Sequence, residues 1–135
     1  MGKPVVAING ASFKTLDGFF DEFGRRALKG KTWGCNLDAF NDVLRGGMGT
    51  PKGGFVLVWQ NHALSRDRLG HAETAHHLRR MLVTCDARNS AGIRREIAAA
   101  MAHHGSTVYD WLLDIIRAHG AGGAEAADGI ELALR

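Results

Sequence analysis

Apolar and polar positions fall into blocks whose period changes along the chain. Val5-Val6-Ala7-Ile8 is a short β-prone run that stops at the turn signal Asn9-Gly10. The period then becomes helical. Leu16, Phe19, Phe20 and Phe23 recur at i, i+3, i+4 and i+7 behind a capping Thr15, with Asp17 in the first turn. Gly24 or Gly30 ends that helix. Asn36 opens a second helix, with Leu37, Phe40, Val43 and Leu44 facing inward and Asp38, Asn41, Asp42 and Arg45 facing outward. Gly46-Gly47 stops it, and residues 48–54 form a Gly/Pro-rich loop. Phe55-Val56-Leu57-Val58-Trp59 is continuously apolar, which predicts a strand covered on both faces.

Asn61 is placed to cap a short helix through Leu69, stopped by Gly70. Residues 72–84 and 91–103 read as two more helices, joined near residues 86–90. The first carries Leu78, Met81, Leu82 and Cys85 as its apolar positions, and the second Ile93, Ile97 and Met101. Thr107 and Asp110 have the spacing of a capping box with Asp in place of Glu. Val108, Trp111, Leu112, Ile115 and Ile116 then give the stripe of a strong final helix, with His119 in its last turn and Gly120 after it. Ile130, Leu132 and Leu134 alternate with Glu131 in a terminal strand. Three strands separated by helices predict an α/β fold, a small three-stranded parallel sheet packed with helices. A length of 135 residues fits one domain spanning 1–135.

The formal charge is +3. Nucleic-acid binding would call for a concentrated basic patch. Here Arg25-Arg26, Arg79-Arg80 and Arg94-Arg95 are short pairs on separate helical segments. No apolar run is long enough to cross a membrane, and the N-terminal stretch lacks the long apolar region of a signal peptide. Cys35 and Cys85 lack CxxC spacing, so free thiols in a reducing cytoplasm are expected.

The segment Trp33-Gly34-Cys35-Asn36-Leu37-Asp38-Ala39-Phe40-Asn41-Asp42-Val43-Leu44 resembles the signature of the barstar family. There an aromatic-Gly-x-Asn-Leu-Asp-Ala stretch opens the helix that enters a ribonuclease active site. Ala7 to Gly10, Phe55 to Trp59 and Gly129 to Arg135 are similar to that family's three strands, and residues 71–105 read as a helical insertion relative to the short inhibitor. The resemblance implies a ribonuclease inhibitor or immunity-type protein, not an enzyme, with a cognate ribonuclease or toxin as partner. It implies no cofactor and no direct contact with nucleic acid. The partner-binding residues it points to are Trp33, Gly34, Asn36, Asp38, Asn41 and Asp42. Asn41 stands where that family has a tryptophan between the two aspartates.

The residues support that expectation in their own right. Gly34 permits a turn that a side chain would hinder. Asn36 caps the helix. Asp38 and Asp42, four apart, share one face. A carboxylate offered to a cationic cleft takes the place of a phosphate and accepts charge-assisted hydrogen bonds. The bland alternative is a solvated helix face in which Arg45 pairs with Asp42. Trp33 either anchors a partner or packs on the first helix, whereas Trp59 and Trp111 are expected in the core.

Two other functions remain open. His71, His76-His77 and His103-His104 invite a histidine-dependent hydrolase, although no HExxH pattern is present and adjacent histidines point apart. Surface positions with some core packing are the expectation for them, and no metal site is expected. Cys35, just before a helix start, sits where a thiol's pKa can fall, but no base is identified. A barstar-fold scaffold without inhibitor activity would lack an acidic surface around Asp38 and Asp42.

Overall fold

A computed structural model describes residues 2–46 and 49–135. Gly47 and Met48, part of the predicted helix stop and loop, lie outside the described residues. The strands are Val5–Asn9 (β1), Val56–Gln60 (β2) and Glu131–Leu134 (β3). They form one sheet in the order β1-β2-β3 with both pairings parallel, as the spacing of the apolar blocks predicts. The register sets Ile8 beside Trp59 and Leu57 beside Leu132.

Among the described residues, six α-helices connect and cover the strands: Leu16–Ala27 (α1), Leu37–Val43 (α2), His62–Arg68 (α3), His71–Thr84 (α4), Ser90–Met101 (α5) and Val108–Ala118 (α6). Their starts follow the predicted caps in three cases. The Thr15 side chain accepts from Gly18 N, Asn36 from Ala39 N, and Thr107 with Asp110 closes a full capping box. Asn61 departs from expectation. It adopts the left-handed region (φ 54°) and makes no side-chain cap. Its amide Nδ2 donates instead to Asn9 Oδ1 at 2.8 Å, tying the end of β2 to the end of β1.

One apolar cluster fills the body. It joins Phe19, Phe20 and Phe23 of α1, Phe40 and Val43 of α2, Leu57 and Trp59 of β2, and Val108, Leu112 and Ile116 of α6. β2 is less enclosed than its unbroken apolar run predicts. Leu57 and Trp59 are buried, whereas Val56 and Val58 are half-buried, so one face of the strand is sealed and the other is partly open. α1 runs through Gly24 and stops only where Lys29 and Gly30 both take positive φ. Gly24 serves packing, since a Cβ there would lie 2.8 Å from Trp33 Nε1.

α4 and α5 form a hairpin beside this body. The predicted stripe holds at Leu78 and Ile93, which are buried, but Met81 and Met101 are exposed. The hairpin meets the body through directional bonds. Leu16 N donates to Glu73 Oε2 at 2.8 Å, and Val108 N donates to the buried Thr74 Oγ1 at 2.9 Å. Arg80 pairs with Asp17 at 2.8 Å.

Candidate partner-binding site

α2 is held from below and open above. Phe40, Val43 and Leu44 are buried in the core, and Leu37 packs partly against it. Asp38 and Asp42 are both exposed on the opposite face. The helix start depends on a tight approach. Asn36 Oδ1 accepts from Ala39 N at 2.7 Å, and its Nδ2 donates to Gly34 O at 3.3 Å. Gly34 is required here by lack of space, because a Cβ would lie 2.6 Å from Ala39 Cβ. The turn that sequence reasoning assigned to Gly34 falls on Cys35, which takes φ 52°.

Trp33 packs edge-on against Phe20 and Phe23, with centroids 5.6 and 5.9 Å away, and stays half-buried. Of the two roles considered for it, packing on the first helix is the one present, with the remaining ring surface still accessible. The exposed Cys35 does not have the lowered pKa expected of a thiol before a helix start. Burial pushes it up, and the Asp21 and Asp17 carboxylates add to the rise.

The far end of α2 is fastened by polar contacts. Arg45 Nη1 donates to Asp42 Oδ1 at 2.8 Å, the pairing the sequence spacing favours, and Nη2 donates to Glu125 Oε1 at 2.8 Å. Those contacts hold the Arg45 guanidinium firmly charged, chiefly through the Glu125 hydrogen bond. Beneath them lies His119, fully buried. Its Nε2 is 2.7 Å from Asn41 Oδ1, and its Nδ1 is 2.6 Å from Asp128 Oδ2 and 3.1 Å from Glu125 Oε2. Asn41 therefore turns its amide oxygen inward, anchoring α2 to the segment between α6 and β3.

His119, expected only as a residue of the final helix's last turn, caps α6 and is fully buried. The signal for it in the sequence is a histidine closing a strongly apolar helix, followed within ten residues by Glu125 and Asp128. Nδ1 of His119 and one oxygen each of Glu125 and Asp128 lie within 4.8 Å of one another, a donor set that borderline divalent ions accept. All three atoms are already used in hydrogen bonds, and the Arg45 guanidinium on Glu125 opposes a second cation. The group works as a clamp.

The other histidines are dispersed. His62 Nδ1 meets Tyr109 OH at 2.9 Å, and His76 meets Glu73 at 3.3 Å. The rings of His71 and His103 are 5.4 Å apart beside a depression of about 260 Å³ that no carboxylate lines among the described residues. His77 packs edge-on against Trp111, which is half-buried, short of the core position expected for that tryptophan. Burial lowers the His77 pKa, and the nearby Arg80 guanidinium lowers it further.

Trp33, Gly34, Asn36, Asp38, Asn41 and Asp42 thus lie on one helix and the turn that starts it. A family model described as Barstar (barnase inhibitor) matches residues 3–102, which include them all, while α6 and β3 lie beyond the matched range. No curated protein and no solved structure matches the chain. With a match across more than half of its length, the chain belongs to the barstar family.

Proposed function

We propose that the chain inhibits a partner endoribonuclease by covering its catalytic cleft with the outer face of α2. A ribonuclease cleft is cationic because it holds phosphates. Asp38 and Asp42 would occupy those places and accept charge-assisted hydrogen bonds from its Arg and Lys side chains. The observation that carries the reading is the pair itself: two exposed carboxylates on one face of a helix whose other face is fixed in the core. A decoy must be held in place to be effective, since freezing a mobile surface on binding costs affinity. Phe40 and Val43 supply that rigidity from the core, and Asn41 supplies it through His119.

In this reading Trp33, Gly34 and Asn36 shape the approach to Asp38. Asn41 supports the surface from within, and the partner's cations compete with Arg45 for Asp42. The interface would be of standard size, about 1,600 Å² in total. The reading takes residues 1–135 as one domain in which 71–105 is added to the short inhibitor, with no catalytic residue of its own. It sets the protein in the cytoplasm, where Cys35 and Cys85 stay free. Among the described residues, no helix is long and apolar enough to cross a membrane.

The test is a pull-down on tagged protein from the cells that make it, followed by a ribonuclease assay of the captured material. The wild-type chain should capture a ribonuclease and suppress it. Asp38→Ala and Asp42→Ala should each weaken binding about tenfold or more, the usual cost of losing a charged hydrogen-bond partner. Val83→Ala, at an exposed position of α4 outside the α2 face, should bind as wild type does. Captured material without nuclease activity, or equal binding by all three variants, would overturn the proposal.

A further inference from the structure

The two edges of the sheet are finished differently. At β1 the outward N–H of Asn9 is taken by the buried Glu22 carboxylate at 2.9 Å. At β3, the last strand of the order β1-β2-β3, no such group closes the edge among the described residues. Glu131 N donates inward to Phe55 O at 3.0 Å, and Arg135 N to Trp59 O at 2.9 Å. Alternation along the strand therefore turns the N–H and C=O of Leu132 and Leu134 outward. Neither amide donates to a backbone partner in another element among the described residues. The side chains alternate as well. Leu132 and Leu134 lie beside Leu57 and Trp59 and pack half-buried against the core. With Ile116 and Ile130 they line a depression of about 330 Å³. Glu131 and Arg135 belong to the other face and are exposed.

We propose that β3 pairs antiparallel with β3 of a second copy of the chain about a two-fold axis at Ala133, joining two three-stranded sheets into one. The sequence around that axis is self-complementary. Leu132 falls opposite Leu134 of the second copy, and each such pair closes two N–H···O=C bonds with the groups that now point outward. The leucine side chains meet over the apolar depressions of both copies. On the other face Glu131 falls opposite Arg135 of the second copy, a cross-strand pair of opposite charge. Both groups are available. Arg135 forms no ion pair among the described residues, and Glu131 has only Lys3 at 3.4 Å. Charges on an edge strand ordinarily discourage pairing. In this register they match instead. Pairing of β3 with the β1 edge of another copy would add chains without end, whereas the two-fold arrangement closes on itself. A strand of four residues gives a contact well below standard size, so the association is weak and reversible. It uses no residue of α2 and stands or falls apart from the inhibitor reading.

Sedimentation equilibrium of the full chain should show reversible monomer–dimer exchange between about 10 micromolar and about 1 millimolar, the range of a small contact. Over the same range, hydrogen exchange should show the Leu132 and Leu134 amides gaining protection with concentration. The Ala133 amide, which faces β2, should keep the protection it has in the monomer. Glu131→Arg sets like charges opposite each other at both ends of the pairing, and the dissociation constant should rise about tenfold. Glu131→Arg combined with Arg135→Glu restores the opposite charges in exchanged places and should return it to within about threefold of wild type. Both positions are exposed, so the urea midpoint should stay near that of wild type in each variant. The pairing is refuted by a chain that remains monomeric to about 1 millimolar, by a dimer whose Leu132 and Leu134 amides exchange as fast as in the monomer, or by a double variant that associates no better than the single one.

Discussion

In the α/β body, large rings meet face and edge: Phe23 and Phe40 are 5.0 Å apart, Phe19 and Trp59 5.1 Å, and Phe19 and Phe40 5.3 Å. In the α4–α5 hairpin the buried apolar side chains are Ala75, Leu78, Ile93 and Ala100, none of them aromatic. The hairpin instead relies on Glu73, Thr74 and Arg80, each bonded to a named group of the body. Apolar volume holds the body, and its loss is felt throughout the cluster. A few directional bonds hold the hairpin, so it should open locally at lower cost than the whole chain unfolds. The proposed inhibitory face, with Asp42, sits on the firm part.

The sharpest way to break the contrast is to remove one side chain from each region. Phe40→Ala deletes a ring that touches Phe19, Phe20 and Phe23, and should cost about 3–5 kcal/mol in urea denaturation. That is a large share of the roughly 5–15 kcal/mol by which a domain of this kind is stable. Met101→Ala, in the exposed end of α5, should stay within about 0.5 kcal/mol. Similar losses from both would mean that the hairpin is as deeply built into the core as α2.

A middle-sized effect should come from Thr74→Val. The change keeps the volume near constant but leaves the Val108 N–H buried without its acceptor. An unsatisfied buried donor costs about 1–3 kcal/mol. Hydrogen exchange should show the α4 and α5 amides losing protection while β2 keeps its own. Equal loss of protection in β2 would mean that body and hairpin open as one unit.

The body was far more legible in the sequence than the hairpin's role. Stripes such as Leu16-Phe19-Phe20-Phe23 and caps such as Thr15, Asn36 and Thr107 are local patterns, and each is realised as read. What escaped depends on contacts that a local pattern of residue types does not reveal, some near in the chain and some far. The need for glycine at Gly34 comes from Ala39 Cβ, and that at Gly24 from the Trp33 ring. The left-handed conformation of Asn61 is supported by Asn9 across the sheet. For the candidate site, the exposure of Asp38 and Asp42 followed from helical spacing alone. The inward turn of Asn41 did not, because its partner His119 arrives from the end of α6.

The smallest effect concerns His77, which faces the body at the seam between the two regions. Its ring lies against Trp111. Burial and the charge of Arg80 lower its pKa below the ordinary 6.5, His76 adds slightly in the same direction, and the Glu73 and Asp17 carboxylates partly offset them. The sign follows from proton binding. Above that ordinary value both the folded and the unfolded chain hold His77 neutral, so it leaves stability unchanged. As pH falls through it, the unfolded chain takes up the proton first, and the folded state loses stability until its own lower pKa is reached. In His77→Gln this component is gone. The difference in urea midpoint between wild type and variant should be flat from about pH 8 to pH 7, then move against the wild type as pH approaches about 5. Everything common to the two proteins cancels in that difference. If hairpin and body part easily at this seam, exchange in α4 and α5 should rise with acid in the wild type before β2 responds. A pH-independent difference would mean that the His77 ring is as hydrated in the folded chain as in the unfolded one, and that the seam is open to water already.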